Sequence, residues 1–202
     1  LGLYRGMRPT EAPRVRVAAL TGGINKPSSR FRVRQHISGL RAEGIEVEEV
    51  IPALDKHWSA VPPGLRPYKL VRRPIMVGEL FIKAGLRIPA VQAARRSDAV
   101  WLQRELLPGI VSLEPLIKRP WVFDIDDAIW KAPPAGVKTC RWIAERSRIV
   151  IAGNEYLASW FGRYAEDVRI VPTAVQTERF RPGTRPERFT IGWIGTSSNL
   201  KY

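Results

Sequence analysis

The feature that most restricts this chain is a regular beat of short apolar runs, each ending on a glycine or a polar residue and separated by stretches of helical periodicity. Residues 14–20, 45–51, 99–103, 120–124, 148–152 and 168–171 are such runs. Between them, 30–43, 68–96, 106–117, 137–146 and 155–164 have helical patterns, the second broken near Pro74 and Pro89, while the proline-rich 52–67 reads as a loop. Runs that are apolar almost throughout suit strands covered on both faces. Strands alternating with helices are joined by right-handed crossovers, which makes the sheet parallel. The expected fold class is α/β, a Rossmann-like, mainly parallel sheet with helices on both faces.

The same pattern divides the chain. Residues 1–13 are expected to be a flexible N-terminal segment, 14–175 one domain, and 176–188 a proline- and arginine-rich linker. Residues 189–202, opening Phe-Thr-Ile-Gly-Trp-Ile-Gly, resemble the first strand and glycine loop of a further domain.

Charge and cysteine usage narrow the partners. Lys and Arg number 33 against 19 Asp and Glu, a formal charge of +14 among 202 residues, which favours anionic partners. The single cysteine, Cys140, cannot form an internal disulfide and is expected to be a small buried residue. No apolar stretch of about 18 residues is present, so the expectation is a soluble, cytoplasmic protein. A basic nucleic-acid-binding module is one alternative, given seven tryptophans among many arginines. Against it, Trp101, Trp121 and Trp193 lie in apparent strands and Trp142 and Trp160 at core-like helical spacing, and no helix-turn-helix or zinc spacing occurs. Nucleic acid is therefore not expected as a partner.

In open parallel sheets ligands bind beyond the carboxyl ends of the strands. The residues there are Gly22-Gly23, Arg104-Glu105, Asp124-Ile125-Asp126-Asp127, Gly153-Asn154 and Pro172-Thr173, a set suited to a polar, hydroxyl-rich or phosphorylated ligand. Two glycines ahead of a helix leave backbone N–H groups free for an anion, or simply make a tight turn. Of the three arginines that follow, Arg30 is the expected ligand contact, with Arg32 and Arg34 meeting solvent. The three carboxylates of Asp124, Asp126 and Asp127 repel one another, so hydroxyls, an arginine or a cation must neutralise them. Alternatively they cap the turn and the next helix. The Asp124-x-Asp126 spacing also resembles the nucleophile motif of haloacid-dehalogenase-type phosphatases. That family places the motif on its first strand and follows it with a lysine and a later acidic pair, a layout this chain lacks.

The order of motifs carries a stronger resemblance. A strand and Gly22-Gly23 lead into Pro27-Ser-Ser-Arg30, followed by Trp101-Leu-Gln-Arg104-Glu105, the Asp-Ile-Asp-Asp strand, Ala152-Gly-Asn154-Glu155, Val171-Pro-Thr and Gly195-Thr196-Ser197. Together these resemble the N-terminal half of a retaining glycosyltransferase of family 4, with GT-B architecture, stopping at the start of the C-terminal domain.

The resemblance implies transfer of a sugar from a nucleotide-diphosphate sugar to an acceptor hydroxyl, with no cofactor and no bound metal. Gly22 and Gly23 would face the transferring sugar or its diphosphate. Arg104, Glu105, Asp126 and Asp127 would hold or orient the acceptor, Asp127 foremost, and Asn154 is a further candidate substrate contact. Gly195, Thr196 and Ser197 would offer N–H groups to the donor. The acceptor class extends to polysaccharides and lipid-linked sugars, and the latter would bring segment 66–96 to an anionic inner membrane face. Where the family often has Pro-Asn-Gly-Val-Asp, this chain has Pro172-Thr-Ala-Val-Gln176. The donor-binding half is missing from these residues, so the 202-residue chain alone is expected to be inactive.

Overall fold

The computed structural model describes residues 15–54, 58–65, 67–178, 180–183, 188–189 and 191–192. Its centre is a six-stranded, wholly parallel sheet of β1 (Val15–Leu20), β2 (Ile45–Val50), β3 (Ala99–Gln103), β4 (Trp121–Ile125), β5 (Ile149–Ala152) and β6 (Val168–Ile170), in the order β2-β1-β3-β4-β5-β6. The helices are α1 (Pro27–Arg32), α2 (Ile37–Ala42), α3 (Lys69–Gly85), α4 (Ile88–Arg96), α5 (Gly136–Ala144) and α6 (Glu155–Phe161). This is the Rossmann-like α/β fold expected from the sequence.

Crossover handedness decides where the helices lie. The chain moves one way from β1 to β2 and the other way for every later connection. Right-handed crossovers therefore put α1 and α2 on one face and the later helices on the other. The main core confirms this: Ala18, Leu20, Val100, Leu102, Phe123 and Val150 pack with Ala90 of α4, Ile143 of α5 and Phe161 of α6. On the other face Ala19 and Val47 pack with Val33, Ile37 and Leu40. Helices do cover both faces, but unevenly. Beyond α1 and α2 the second face opens as a groove of about 690 Å³, walled by Val17, Trp101, Val122 and Ile151.

Three stretches differ from the sequence reading. The helix expected over 30–43 is two short helices joined by a 3-10 turn at Arg34–His36, because Val33 leaves helical geometry at φ −122°, ψ −68°. Pro74 lies inside α3 without ending it. The carbonyl it deprives of a donor belongs to Leu70, which is 89% exposed, so water can serve instead. Pro89 sits in the first turn of α4, where its missing N–H costs nothing.

The helix expected over 106–117 is absent. Pro108-Gly109 turns the chain, Leu107 and Ile110 bridge, and only Glu114–Leu116 form a 3-10 turn. The buried Glu114 carboxylate organises this loop by accepting the N–H groups of Leu106 at 2.9 Å and Ser112 at 2.6 Å. Of the expected strand at 189–194, Phe189, Ile191 and Gly192 are described and lie in no strand, with Phe189 and Ile191 largely exposed. Trp193 and the expected N-terminal segment 1–13 lie outside the described residues.

Gly109 is the tightest backbone site. Its φ is +69°, its carbonyl accepts the N–H of Ala135 at 3.0 Å, and an added Cβ would stand 2.2 Å from the Pro133 carbonyl oxygen. Gly109→Ala should cost about 3 kcal/mol, or roughly 6–12 °C of melting temperature for a domain of this size. Differential scanning calorimetry would measure it.

Glu79 ties α3 down. Its carboxylate accepts Lys83 Nζ at 2.6 Å, the Ala60 N–H at 2.9 Å and the Ser59 hydroxyl at 3.2 Å. Burial pushes the carboxyl up, but the Lys83 and Ala60 hydrogen bonds, the Lys83 charge and Ser59 together hold it below its ordinary 4.5. A depressed folded-state value means the clasp stabilises fully above 4.5 and is lost as pH falls through the folded value. Amide protection factors in α3, taken relative to the intrinsic exchange rate at each pH, should therefore fall on acidification below 4.5, and Glu79→Gln should remove that pH dependence.

Candidate functional site

The strand order reverses on either side of β1, so the crevice characteristic of such sheets opens between the carboxyl ends of β1 and β3. Thr21-Gly22-Gly23 leave β1 there, and Arg104 leaves β3. Asp126 and Asp127 leave β4, two strand spacings from β1, or about 10 Å. They share one rim with the glycine turn and lie outside the core.

The acidic strand end is neutralised by two arginines, each with its own carboxylates. Arg32, 5% exposed, closes a forked pair on Asp124, 1% exposed, with Nε at 3.1 and 3.2 Å from the two oxygens and Nη2 on Oδ1. Its remaining nitrogen, Nη1, donates to the Val171 carbonyl at 2.5 Å and to Thr173 Oγ1 at 3.5 Å. Burial pushes the Asp124 carboxyl above its ordinary value, against the hydrogen bonds and charge of Arg32 that pull it down. At the surface, Arg104 Nε donates to Asp126 at 2.7 Å and Nη2 to Asp127 at 2.5 Å. Burial works against the Arg104 charge, but the two carboxylates outweigh it and hold the guanidinium above its ordinary value.

Arg104 has φ +63°, a left-handed conformation that a residue with a Cβ adopts at a cost of about 1–3 kcal/mol. Its N–H bonds to the Asp124 carbonyl at 3.1 Å, which fixes the backbone in that shape. The Arg104 side chain is 15% exposed and Asp126 17%, whereas Asp127 is 69% exposed. Asp127 is thus the carboxylate of this cluster most open to a ligand.

The other expected site residues are placed as follows. Gly22 and Gly23 are buried at the turn, and Gly23 has φ +150°. The Gly22 N–H is taken by Ser29 Oγ at 3.3 Å, so it is not open to an anion as expected. Arg30 is exposed, its guanidinium over the Phe31 ring. Arg32 and Arg34, expected to meet solvent, do the opposite: Arg34 Nε pairs with Glu49 at 2.6 Å and its other nitrogens cap the Ile24 and Gly23 carbonyls. The turn between Arg32 and Ile37 rotates both inward. Glu105 is buried away from the Arg104 cluster, its charge felt by Arg87 and Cys140. Asn154 Oδ1 accepts the Leu157 N–H at 2.9 Å as the cap of α6. Gly195, Thr196 and Ser197 lie outside the described residues.

Several groups here were not singled out from the sequence. Arg87, 4% exposed, donates to the Thr21 carbonyl at 2.9 Å. Burial lowers it to about 10, with Glu114 and Glu105 resisting the fall. Gln103 pairs in register with Asp124 and is 2% exposed, yet neither polar atom of its amide has a hydrogen-bond partner among the described residues. A glutamine ending an apolar strand was the signal available for it. Cys140 is buried and its thiol pushed up by burial and by Glu105, so it is unreactive.

The arrangement limits the chemistry. Asp124 is enclosed by Arg32 and cannot reach a phosphorus atom, so the phosphatase reading fails on geometry. Among the described residues no group of three or more His, Cys, Asp or Glu is placed to hold a metal ion. In the Arg104 cluster the exposed element is a carboxylate, Asp127, held by a guanidinium that is itself largely covered.

No protein-family model matches this sequence, and no curated protein matches it. Among solved structures the chain is similar to Anabaena Alr3699/HepE in complex with UDP and glucose, at 14% identity and TM-score 0.44, over 82% of this chain and 46% of that one. It is also similar to Anabaena Alr3699/HepE in complex with UDP, at 13% identity and TM-score 0.41, over 81% and 45%. The match spans about half the length of those chains.

Breaking the inner pair tests its role in the rim. Arg32→Met and Asp124→Asn should each cost about 3–5 kcal/mol by urea denaturation, because each leaves a buried partner unmatched. The Arg32→Met/Asp124→Leu double variant should lose less than the sum of the two.

Proposed function

We propose that this chain forms the acceptor-side half of a retaining glycosyltransferase of GT-B architecture and family-4 type. In this reading 14–175 is the Rossmann-like acceptor domain, 176–188 a linker and 189–202 the opening of a donor-binding domain. The observation that carries it is the Arg104–Asp126–Asp127 cluster, partly exposed at the strand-end rim beside the β1–β3 crevice. Carboxylates fixed by a guanidinium suit sugar hydroxyls, which donate hydrogen bonds to them in a known geometry. The unbonded Gln103 amide adds a polar group beside the same strand ends.

The chemistry follows from charge. Transfer of a glycosyl group from a nucleotide diphosphate builds negative charge on the departing phosphate and positive charge on the sugar ring. Asp127 would orient the acceptor hydroxyl and offset the ring's charge, and Arg104 would hold Asp127 in place. Backbone N–H donors to the diphosphate would come from the facing domain, Gly195 to Ser197 among them. Each preorganised donor of this kind contributes roughly a hundredfold in rate. The acceptor is a hydroxyl compound, such as a polysaccharide or lipid-linked sugar, and the donor a nucleotide-diphosphate sugar used as substrate. No nucleic acid is part of this reading.

Saturation-transfer NMR with a panel of methyl hexosides tests the acceptor assignment. At least one should bind the 202-residue chain, with affinity falling about tenfold, some 1.4 kcal/mol, in Asp127→Ala and Arg104→Gly. The glycine variant relieves the φ +63° backbone, so its stability should hold while binding falls. No binding, or binding indifferent to both changes, refutes the assignment. In a turnover assay with UDP-glucose and the bound hexoside the 202-residue chain should form no product; product would refute the need for a facing domain.

A further inference from the structure

Helix α3 is turned inside out. The side chains it directs toward the rest of the chain are Arg72, Ile75, Glu79 and Lys83, spaced as one helical face, and three of the four are charged. The opposite face carries Leu70, Pro74, Val77 and Phe81 at the same spacing, and Leu70 is 89% and Phe81 72% exposed. None of the seventeen residues of α3 is buried. A helix in water is normally held by burying its apolar side, and this one exposes it. Isolated exposed apolar residues need no explanation, but a continuous stripe marks a surface that something else covers.

Charge identifies the cover. Between Trp58 and Ser97 the sequence has eight Lys or Arg and one acid, Glu79, which is turned inward onto Lys83. Lys69 and Arg73 are exposed on the flank of the stripe, and the aromatic rings of Trp58 and Tyr68 are exposed on the α3 side of the chain. An apolar stripe edged by cations, with amphipathic aromatics nearby and no outward acid, complements an anionic lipid surface. A second copy of this chain would bring like charges together. No helix among the described residues is long and apolar enough to cross a membrane, so contact would be in the plane of the interface.

We propose that α3 docks this protein on an anionic bilayer, with Leu70, Val77 and Phe81 entering the acyl boundary and Lys69 and Arg73 resting against lipid headgroups. A cleft of about 580 Å³ lies beside it, walled by Met76 and Leu80 of α3 and by Leu107 and Pro108 of the loop leaving β3 just beyond Arg104. The docked helix therefore borders the same loop that leads to the carboxylate rim. The docking stands apart from the sugar-transfer reading, because it is measured without turnover.

The test is co-sedimentation of the 202-residue chain with phosphatidylcholine vesicles, alone or with about 30 mol % phosphatidylglycerol. The chain should bind the anionic vesicles and not the neutral ones. Leu70→Ser/Phe81→Ser and Lys69→Glu/Arg73→Glu should each cut binding about tenfold or more with unchanged circular dichroism, and Val137→Ser, an exposed control on α5, should bind as the native chain. Failure of the native chain to bind overturns the proposal. So does native-like binding by Leu70→Ser/Phe81→Ser, since net charge alone would then suffice. Self-association in sedimentation equilibrium that this variant abolishes, with vesicles left unbound, assigns the face to a second copy and overturns it as well.

Discussion

The Arg32–Asp124 pair is the joint on which the rim depends. One planar guanidinium fastens three separate parts of the chain: α1, which follows β1; Asp124 in β4; and Val171, where the chain leaves β6. Removing both charges from water costs several kcal/mol per ion, and attraction offsets this only when the remaining donors are also satisfied. Arginine meets that condition because its fork spans both carboxylate oxygens while a third nitrogen serves a carbonyl. A lysine could not hold all three. With Asp124 neutralised beneath the surface, Arg104 is left to the two outer carboxylates, and the repulsion among three neighbouring acids is resolved in two layers.

The strand and helix alternation was readable because each apolar run is short and closed by a polar residue, and the rim followed because consecutive parallel strands end on the same side. That is why Arg104, Asp126 and Asp127, far apart in sequence, were expected together and are together. Other readings failed for physical reasons. Leu106, Leu107, Ile110 and Leu113 have helical spacing, yet Pro108-Gly109 and the Glu114 carboxylate enforce a loop. Arg30, Arg32 and Arg34 look alike in sequence, and only the break at Val33 shows which of them turn inward. Glu105 was grouped with its neighbour Arg104, but successive side chains leaving a strand point to opposite sides, and Glu105 goes to the interior.

Beneath the rim the interior is more polar than a sheet of this kind requires. Arg87, Glu105 and Glu114 are all buried on the side of the main core. Arg87 holds the end of β1 through the Thr21 carbonyl, and Glu114 holds the loop after β3 through two N–H groups. The turns on either side of the crevice are thus set by buried ionic groups, while Asp127 above them remains open to a ligand. Position and recognition are assigned to different residues.

The placement of β1 between β2 and β3 also governs how the domain assembles. Strands β3 to β6 adjoin in space in the order they occur in sequence, so that wing can zip together through local crossovers. The β1–β2 wing joins it only when the long connection of residues 51–98 closes on itself. Loop-closure entropy rises slowly with length, so this linkage can tolerate insertion or trimming at little thermodynamic expense. Within it α4 and Arg87 are anchored in the main core and at the end of β1, so that tolerance belongs to the stretch ahead of them, where α3 buries none of its residues.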